Sequence, residues 1–289
     1  MGTFGTTNHR NKKLAAVFRD KPELVTALPE WMLPQKHIEA YQQMQDLAIV
    51  EIAGRDSVAA AVCAAEQNGY NNLLPVYAYT GTEYGQWQSV PEAVGRLARR
   101  LPQVRVHPLL IVGSPEFWHT LNGRFISDCV ERFGKYSPCP GCHLYLHSVR
   151  VPLAGKLGNA DIVAGERTSH NGAVKINQVK NALDFYSEAL GFFGIRLNMP
   201  LAEIADGTEI EKILEMPWQQ GKEQLCCSLS GNYKKCTGAT GVDIEPVMRY
   251  FHEFAGPVVR EIVTAYMQGQ IPEHQRIASK VMSQWMNQK

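Results

Sequence analysis

Residues 47–65 read LAIVEIAGRDSVAAAVCAA. An apolar β-type run, LAIVE, passes through the loop Ile52-Ala53-Gly54-Arg55-Asp56-Ser57 into the small-residue, helix-like run VAAAVCAA. In an open α/β sheet such a loop lies at the carboxyl end of its strand, where ligands bind and the first N–H groups of the next helix face anions. Gly54 lets the backbone approach a phosphate, Arg55 offers charge and Ser57 a hydroxyl. Asp56 does not welcome a phosphate; its roles are to cap the helix, orient the loop or hold Mg2+. Taken alone, the residues equally suit an ordinary strand-to-helix turn with an Asp-Ser cap.

Outward from this unit, β-rich runs recur at NLLPVYAYT, VRVHPLLIV and ADIVAGE, with helix-like segments between them. That alternation predicts an α/β fold: an open, mostly parallel Rossmann-like sheet with helices on both faces. A fifth, weaker run, IRLNMPLAEI, is placed near an edge by its proline. DGTEIEKILEM reads as a helix capped by Asp206 or Thr208. Residues 1–44, polar and then proline-punctuated, read as an irregular N-terminal extension, 45–242 as the α/β domain and 243–289 as a helical C-terminal appendage. The appendage either packs on the core or forms a homodimer interface.

A chain of 289 residues buries a sizeable core in one large domain, with room for an appendage. Its formal charge of +1 creates no global field favouring nucleic acid or anionic membrane, and leaves a local basic patch open. The longest apolar run, VAAAVCAA, is far shorter than the roughly 20 residues of a membrane helix, and no signal-peptide pattern opens the chain. A soluble, cytoplasmic protein with no membrane partner is expected. The opening MGTFGT fits only the loose myristoylation pattern.

Seven cysteines in such a chain point to metal or catalytic roles rather than disulfides. Cys139 and Cys142 form a CPGC pair, read as a tight turn, and Cys226, Cys227 and Cys236 cluster later in CCSLSGNYKKC. The inventory suits zinc, an iron–sulfur cluster or a redox dithiol. Cys63 and Cys129 stand alone and read as buried packing residues. His143 and His147 follow the pair at helical spacing and His170 falls in AGERTSHNG; each reads as a polar surface histidine.

Gly54, Asp56 and Ser57 match the Ser-Gly-Gly-x-Asp-Ser loop of the PP-loop ATP pyrophosphatase family, which the chain resembles, with Ile52 replacing the serine and Ala53 the first glycine. TGTEYGQW and AGERTSHNG follow in the family's order, so the resemblance covers roughly residues 45 to 240. It implies ATP binding by Ala53, Gly54, Arg55, Asp56 and Ser57, with Thr80, Gly81, Thr82, Gly165 and Arg167 around the nucleotide. It further implies cleavage between the α and β phosphates, adenylation of a substrate oxygen and later displacement of AMP, with Asp56 catalytic and Mg2+ present. Lys175 or Lys180 neutralises charge, or the two form a solvated helix face. With the loop serine missing, Arg55 is expected to make the lost phosphate contact.

Within that family the closest layout is that of the tRNA thiolation enzymes, in which a C-x-x-C pair and one later cysteine hold a [4Fe-4S] cluster with one iron open for sulfur. Cys139, Cys142 and one of Cys226 or Cys227 fit this order, and Cys236 becomes a catalytic sulfur carrier or a fourth ligand. The implied reaction is sulfur transfer to an adenylated carbonyl of a tRNA base, a nucleobase or a small molecule, with sulfide or a donor protein supplying the sulfur. Unlike many such enzymes, the chain has no cysteine in its first 60 residues. Three other readings suit the motifs: a Zn2+-stapled adenylating ligase of the amide or nitrile type, an adenylyl-sulfate reductase-like enzyme with its Cys-Cys order reversed, and a catalytically inactive nucleotide sensor.

Overall fold

The computed structural model describes residues 33–219, 221–239 and 243–286. The MGTFGT motif and most of the proposed extension lie outside the described residues. The part that is described is helical: α1 (Gln35–Gln42) buries Ile38, and Tyr41 packs edge-on against His107.

Along the chain run β1 (Leu47–Glu51), β2 (Asn72–Tyr79), β3 (Glu83–Tyr84), β4 (Arg105–Val106), β5 (Leu110–Gly113), β6 (Asp161–Val163), β7 (Leu197–Asn198) and β8 (Cys226–Cys227). The main sheet has the order β4-β2-β1-β6-β7, with β5 also beside β2, and its pairings are parallel. Residues of β1 alternate between two buried layers, Leu47 and Ile49 facing one while Ala48 and Val50 face the other. A parallel strand covered on both faces requires this near-continuous apolar run. The edge position of the IRLNMPLAEI strand is observed as β7.

VRVHPLLIV, read as one strand, is two. Pro75 inside β2 has no N–H, and Pro108 lies in the gap between β4 and β5, so the ladder lapses between the β4 pairing at Asn72–Leu73 and the β5 pairing at Val76–Tyr79.

The helices, continuing in chain order, are α2 (Arg55–Asn68), α3 (Ser89–Arg100), α4 (Pro115–Asn122), α5 (Ile126–Phe133), α6 (Pro138–Ser148), α7 (Val151–Lys156), α8 (Lys180–Gly191) and α9 (Gly207–Leu214). Helices α2, α3 and α9 cover one face of the sheet, and α4 to α8 the other. Asp206 caps α9 by accepting from Thr208 N at 2.8 Å. Cys63 on α2 and Cys129 on α5 are buried, as their solitary positions suggested.

Residues 243–286 form α10 (Ile244–Tyr250), a π-turn at Phe251–Ala255, α11 (Gly256–Met267) and α12 (His274–Met286). The π-turn leads into Pro257, which cannot donate to the preceding turn. Of the two uses considered for this segment, packing on the core is the one observed. Phe251, Phe254, Val258 and Ile262 are fully buried in the same layer as α6 and α8, and Phe185 stacks on Phe251 with ring centroids 4.5 Å apart. At about 1.5–3 kcal/mol for each large apolar side chain buried, these helices are part of the core rather than an appendage. Among the described residues no helix is long and apolar enough to cross a membrane.

Candidate active site at the carboxyl ends of the strands

The IAGRDS loop leaves the carboxyl end of β1 and closes on itself through Ser57. Its Oγ accepts from Ala53 N at 2.9 Å and Gly54 N at 3.0 Å and donates to Gly54 O at 2.7 Å. Two glycines permit close approaches: a Cβ on Gly54 would lie 2.6 Å from Gln224 Oε1, and one on Gly165 would lie 2.6 Å from Asp56 C and Ser57 N. The loop after β6 is thereby pressed onto the first turn of α2, whose leading N–H groups have no partner within the helix.

Both oxygens of Asp56 are occupied. Oδ1 accepts from Arg55 Nε at 2.9 Å and Oδ2 from Arg167 Nη1 at 3.2 Å. Arg167, 1% exposed, also donates to Ile204 O and Ala205 O and does not reach the cavity wall. These two contacts fix the Asp56 carboxylate against the loop and the arm of Arg167, while the residue still lines the cavity. Arg55, 6% exposed, lines the cavity and pairs through Nε with Asp56.

Above the loop opens a cavity of about 770 Å3, within the range of small-molecule sites. Ala53 to Ser57, Thr80, Thr82, Gly165, Cys142, Cys226 and Cys227 line it. Gly81 stands off the wall, supplying the positive φ (84°) that turns the TGTE loop. That loop becomes β3, which pairs antiparallel with β8 and sets Glu83 opposite Cys227 and Tyr84 opposite Cys226. This miniature sheet carries Cys226 and Cys227 to the cavity beside the IAGRDS loop. Cys236 is not brought there; it is exposed in a separate turn.

CPGC is not a free turn but the start of α6. Ser137 caps it, and Cys139 and Cys142 share a face at i, i+3. Each of three sulfurs has a polar neighbour: Cys139 Sγ accepts from Asn232 Nδ2 at 2.9 Å, Cys142 Sγ from Trp118 Nε1 at 3.2 Å, and Cys227 Sγ lies 3.3 Å from Thr82 Oγ1. Burial pushes the Cys142 thiol up to about 12, and burial likewise raises Cys139, with Cys227 adding to both shifts. Of the late cysteines, Cys227 is thus the one that shares a field with the CPGC pair. Zinc bound tetrahedrally at about 2.3 Å holds its sulfurs roughly 3.8 Å apart. These thiols are not gathered so tightly: among the described residues, only His143, His147 and Glu166 bring three ligand atoms within 4.8 Å of one another.

The histidines expected at the surface are mostly inside. His147 is fully buried, with Nδ1 2.7 Å from Glu51 Oε1, which also accepts from Arg150 Nη1 at 3.0 Å. His143 Nδ1 lies 2.7 Å from Glu166 Oε1. Burial opposes charge on His147, but Glu51 and Glu166 outweigh it and raise its pKa to about 9. Glu166 is held well below the usual carboxylate range because His143 and His147 overcome its desolvation. Glu51 and Glu166 were not read from the sequence; the signal was an acidic residue at the carboxyl end of each of two neighbouring central strands. His170, with Nε2 2.6 Å from Gln178 Oε1, is pushed down to about 4, first by burial and then by the charge of Lys175. Lys175 lines the cavity and is lowered by burial, whereas Lys180 is exposed and pairs with Asp184.

Fold and cavity define a Rossmann-like α/β protein whose strand–loop–helix turn after β1 lines one cavity with several cysteines. They have the loop order that the PP-loop ATP pyrophosphatase resemblance implies. The chain belongs to the same family as an uncharacterized protein of Methanocaldococcus jannaschii, with 38% identity over 225 residues, covering 76% of this chain and 81% of that one. No family model matches the sequence. Among solved structures, similarity extends to a 4-thiouridine synthetase in complex with RNA and ATP, at 15% identity and a TM-score of 0.45 over 77% of this chain and 53% of that one. The chain thus spans about half of that synthetase. A U34-tRNA thiolase of Methanococcus maripaludis with its [4Fe-4S] cluster is similar at 16% identity and a TM-score of 0.38, covering 84% of this chain and 79% of that one.

Proposed function

We propose that the protein is an ATP-dependent sulfurtransferase that adenylates a carbonyl oxygen, of a tRNA base or a small molecule, and replaces it with sulfur. One observation carries the reading: a single cavity is lined both by the IAGRDS loop and by Cys142 and Cys227, with Cys139 one helical turn from Cys142. The leading N–H groups of α2 receive the phosphates, and Lys175, half-buried on the same wall, balances their charge. The substrate oxygen attacks the α-phosphorus and pyrophosphate leaves; sulfur then bonds to the activated carbon as its bond to oxygen breaks and AMP departs. Without adenylation that oxygen is a poor leaving group, so positioning and charge neutralisation do the enzyme's work.

Cys139, Cys142 and Cys227 would hold a [4Fe-4S] cluster, whose fourth iron supplies a position for the incoming sulfur. Asn232 and Trp118 donate to two of these sulfurs and stabilise them as thiolates. The β3–β8 pair holds Cys227 in register with Glu83 beside the nucleotide loop. Anaerobically purified protein is expected to be brown and to contain about four irons and four sulfides per chain, and to release AMP and pyrophosphate with an acceptor present. Colourless protein with stoichiometric zinc on its cysteines, or ATP binding without AMP under any acceptor, overturns this reading.

A further inference from the structure

Outside the thiol set, the cavity floor carries a second group of metal-type ligands. His143 and His147 lie four residues apart on one face of α6, and Glu166 reaches them from the end of β6. His143 Nδ1 is 2.7 Å and His147 Nε2 3.3 Å from the same oxygen, Glu166 Oε1. The second approach is an ion-pair contact without hydrogen-bond alignment, so the fully buried His147 Nε2 is paired with Glu166 in charge but makes no aligned hydrogen bond. A buried nitrogen left unsatisfied is costly unless something else engages it.

The atoms that do not face this point are already oriented. His147 Nδ1 is fixed by Glu51 Oε1, itself held by Arg150; His143 Nε2 is 2.8 Å from the Asn177 side-chain amide; and Glu166 Oε2 accepts from Gln178 Nε2. His147 has the arrangement characteristic of metal-binding histidines, its second ring N–H donating to a carboxylate; His143 attains it when the Asn177 side-chain amide turns over, so that its oxygen rather than its NH2 faces His143 Nε2. We propose that His143 Nδ1, His147 Nε2 and Glu166 Oε1 form a mononuclear site for a divalent transition cation of the zinc class.

Two imidazoles and one carboxylate select such a cation over Mg2+, which prefers oxygen ligands and retained waters. A ligand at about 2.0–2.1 Å on each atom would separate neighbours by roughly 3.3 Å in a tetrahedral arrangement, the spacing already present between His147 Nε2 and Glu166 Oε1. Three protein ligands leave a fourth position free, as in catalytic rather than structural zinc sites. His143 and Glu166 both line the cavity, so that position faces the space between the phosphate loop and the cysteines and takes a water or a substrate oxygen. The site is independent of the sulfur-transfer reading, because it uses none of the cysteines.

The test is Co2+ binding to full-length, chelator-treated protein in which Cys139, Cys142 and Cys227 are replaced by serine. One equivalent of Co2+ should bind with ligand-field absorption and no thiolate charge-transfer band, and Zn2+ should displace it. His143→Gln, at a position only partly buried, and Glu166→Gln should each weaken Co2+ at least a hundredfold while thermal unfolding stays cooperative. Absence of Co2+ uptake in the serine background, or undiminished affinity in both glutamine variants, overturns the proposal and leaves a purely ionic His–Glu network. Iron and sulfide content of the unsubstituted protein, measured separately, reports on the cluster and not on this site.

Discussion

Gly165 rests against the Asp56–Ser57 peptide so closely that a Cβ on it would lie 2.6 Å from Asp56 C and 2.8 Å from Asp56 O. The contact is backbone on backbone, so no side-chain rotation relieves it. Gly165→Ala is expected to cost about 1–3 kcal/mol of stability by overpacking and to displace the loop by a few tenths of an ångström or more. Since misplacement of about 1 Å costs on the order of a hundredfold in rate, AMP release should fall much further than stability does. Activity within twofold of the parent would show that the loop tolerates the shift.

Asp56 sits between Arg55 and Arg167, so the Arg55 guanidinium is already engaged by a carboxylate. Arg55→Ala should act by loosening Asp56, lowering stability by about 1.5–3 kcal/mol, the scale for a buried charged hydrogen bond. ATP affinity, measured by calorimetry, should then fall less than tenfold. A hundredfold loss at an unchanged melting temperature would put the guanidinium on a phosphate after all.

The sheet was legible because β1 is an apolar run up to Glu51 and because IAGRDS joins a β-type period to a helical one. Local pattern carries such information well. The interruption at Pro75 and Pro108 was less visible, since each proline alone is compatible with a strand and only their adjacency in the sheet breaks the ladder. The IAGRDS loop and CPGC were legible as motifs. How Cys226 and Cys227 are placed beside them was not, because it follows from the β3–β8 register, a contact between segments far apart in sequence. The His143–His147–Glu166 group was hidden for the same reason: spacing put the histidines on one helix face, but only β6 pairing beside β1 brings Glu166 and Glu51 to them.

The thiol neighbourhood distinguishes the late cysteines. Cys227 raises the pKa of both Cys139 and Cys142, Cys226 Sγ donates to Gly221 O at 3.9 Å, and Cys236 is exposed elsewhere. On the proposed function, Cys227→Ser should abolish iron and sulfide retention as fully as Cys139→Ala does. Cys226→Ser and Cys236→Ser should keep at least half. Metal and acid-labile sulfide analysis of the four variants, purified without oxygen, decides it; equal loss in the Cys226 and Cys227 variants would remove the distinction.

His170 gives the site a pH signature. Its side chain is 13% exposed, and burial, followed by the charge of Lys175, lowers its pKa from 6.5 to about 4. Between those two values the unfolded chain holds a proton on this residue that the folded chain does not, so stability rises with pH across that window. The contribution is fully present above about pH 6.5 and is lost as pH falls toward 4, at a slope of up to about 1.4 kcal/mol per pH unit. Replacing His170 with Gln removes the titration and keeps a polar group near Gln178. Denaturant unfolding at intervals from pH 7.5 to 4.5 should show the parent losing stability more steeply than His170→Gln below pH 6.5, with parallel profiles above pH 7. Parallel profiles throughout would mean that His170 is protonated in the folded protein as readily as in the unfolded chain.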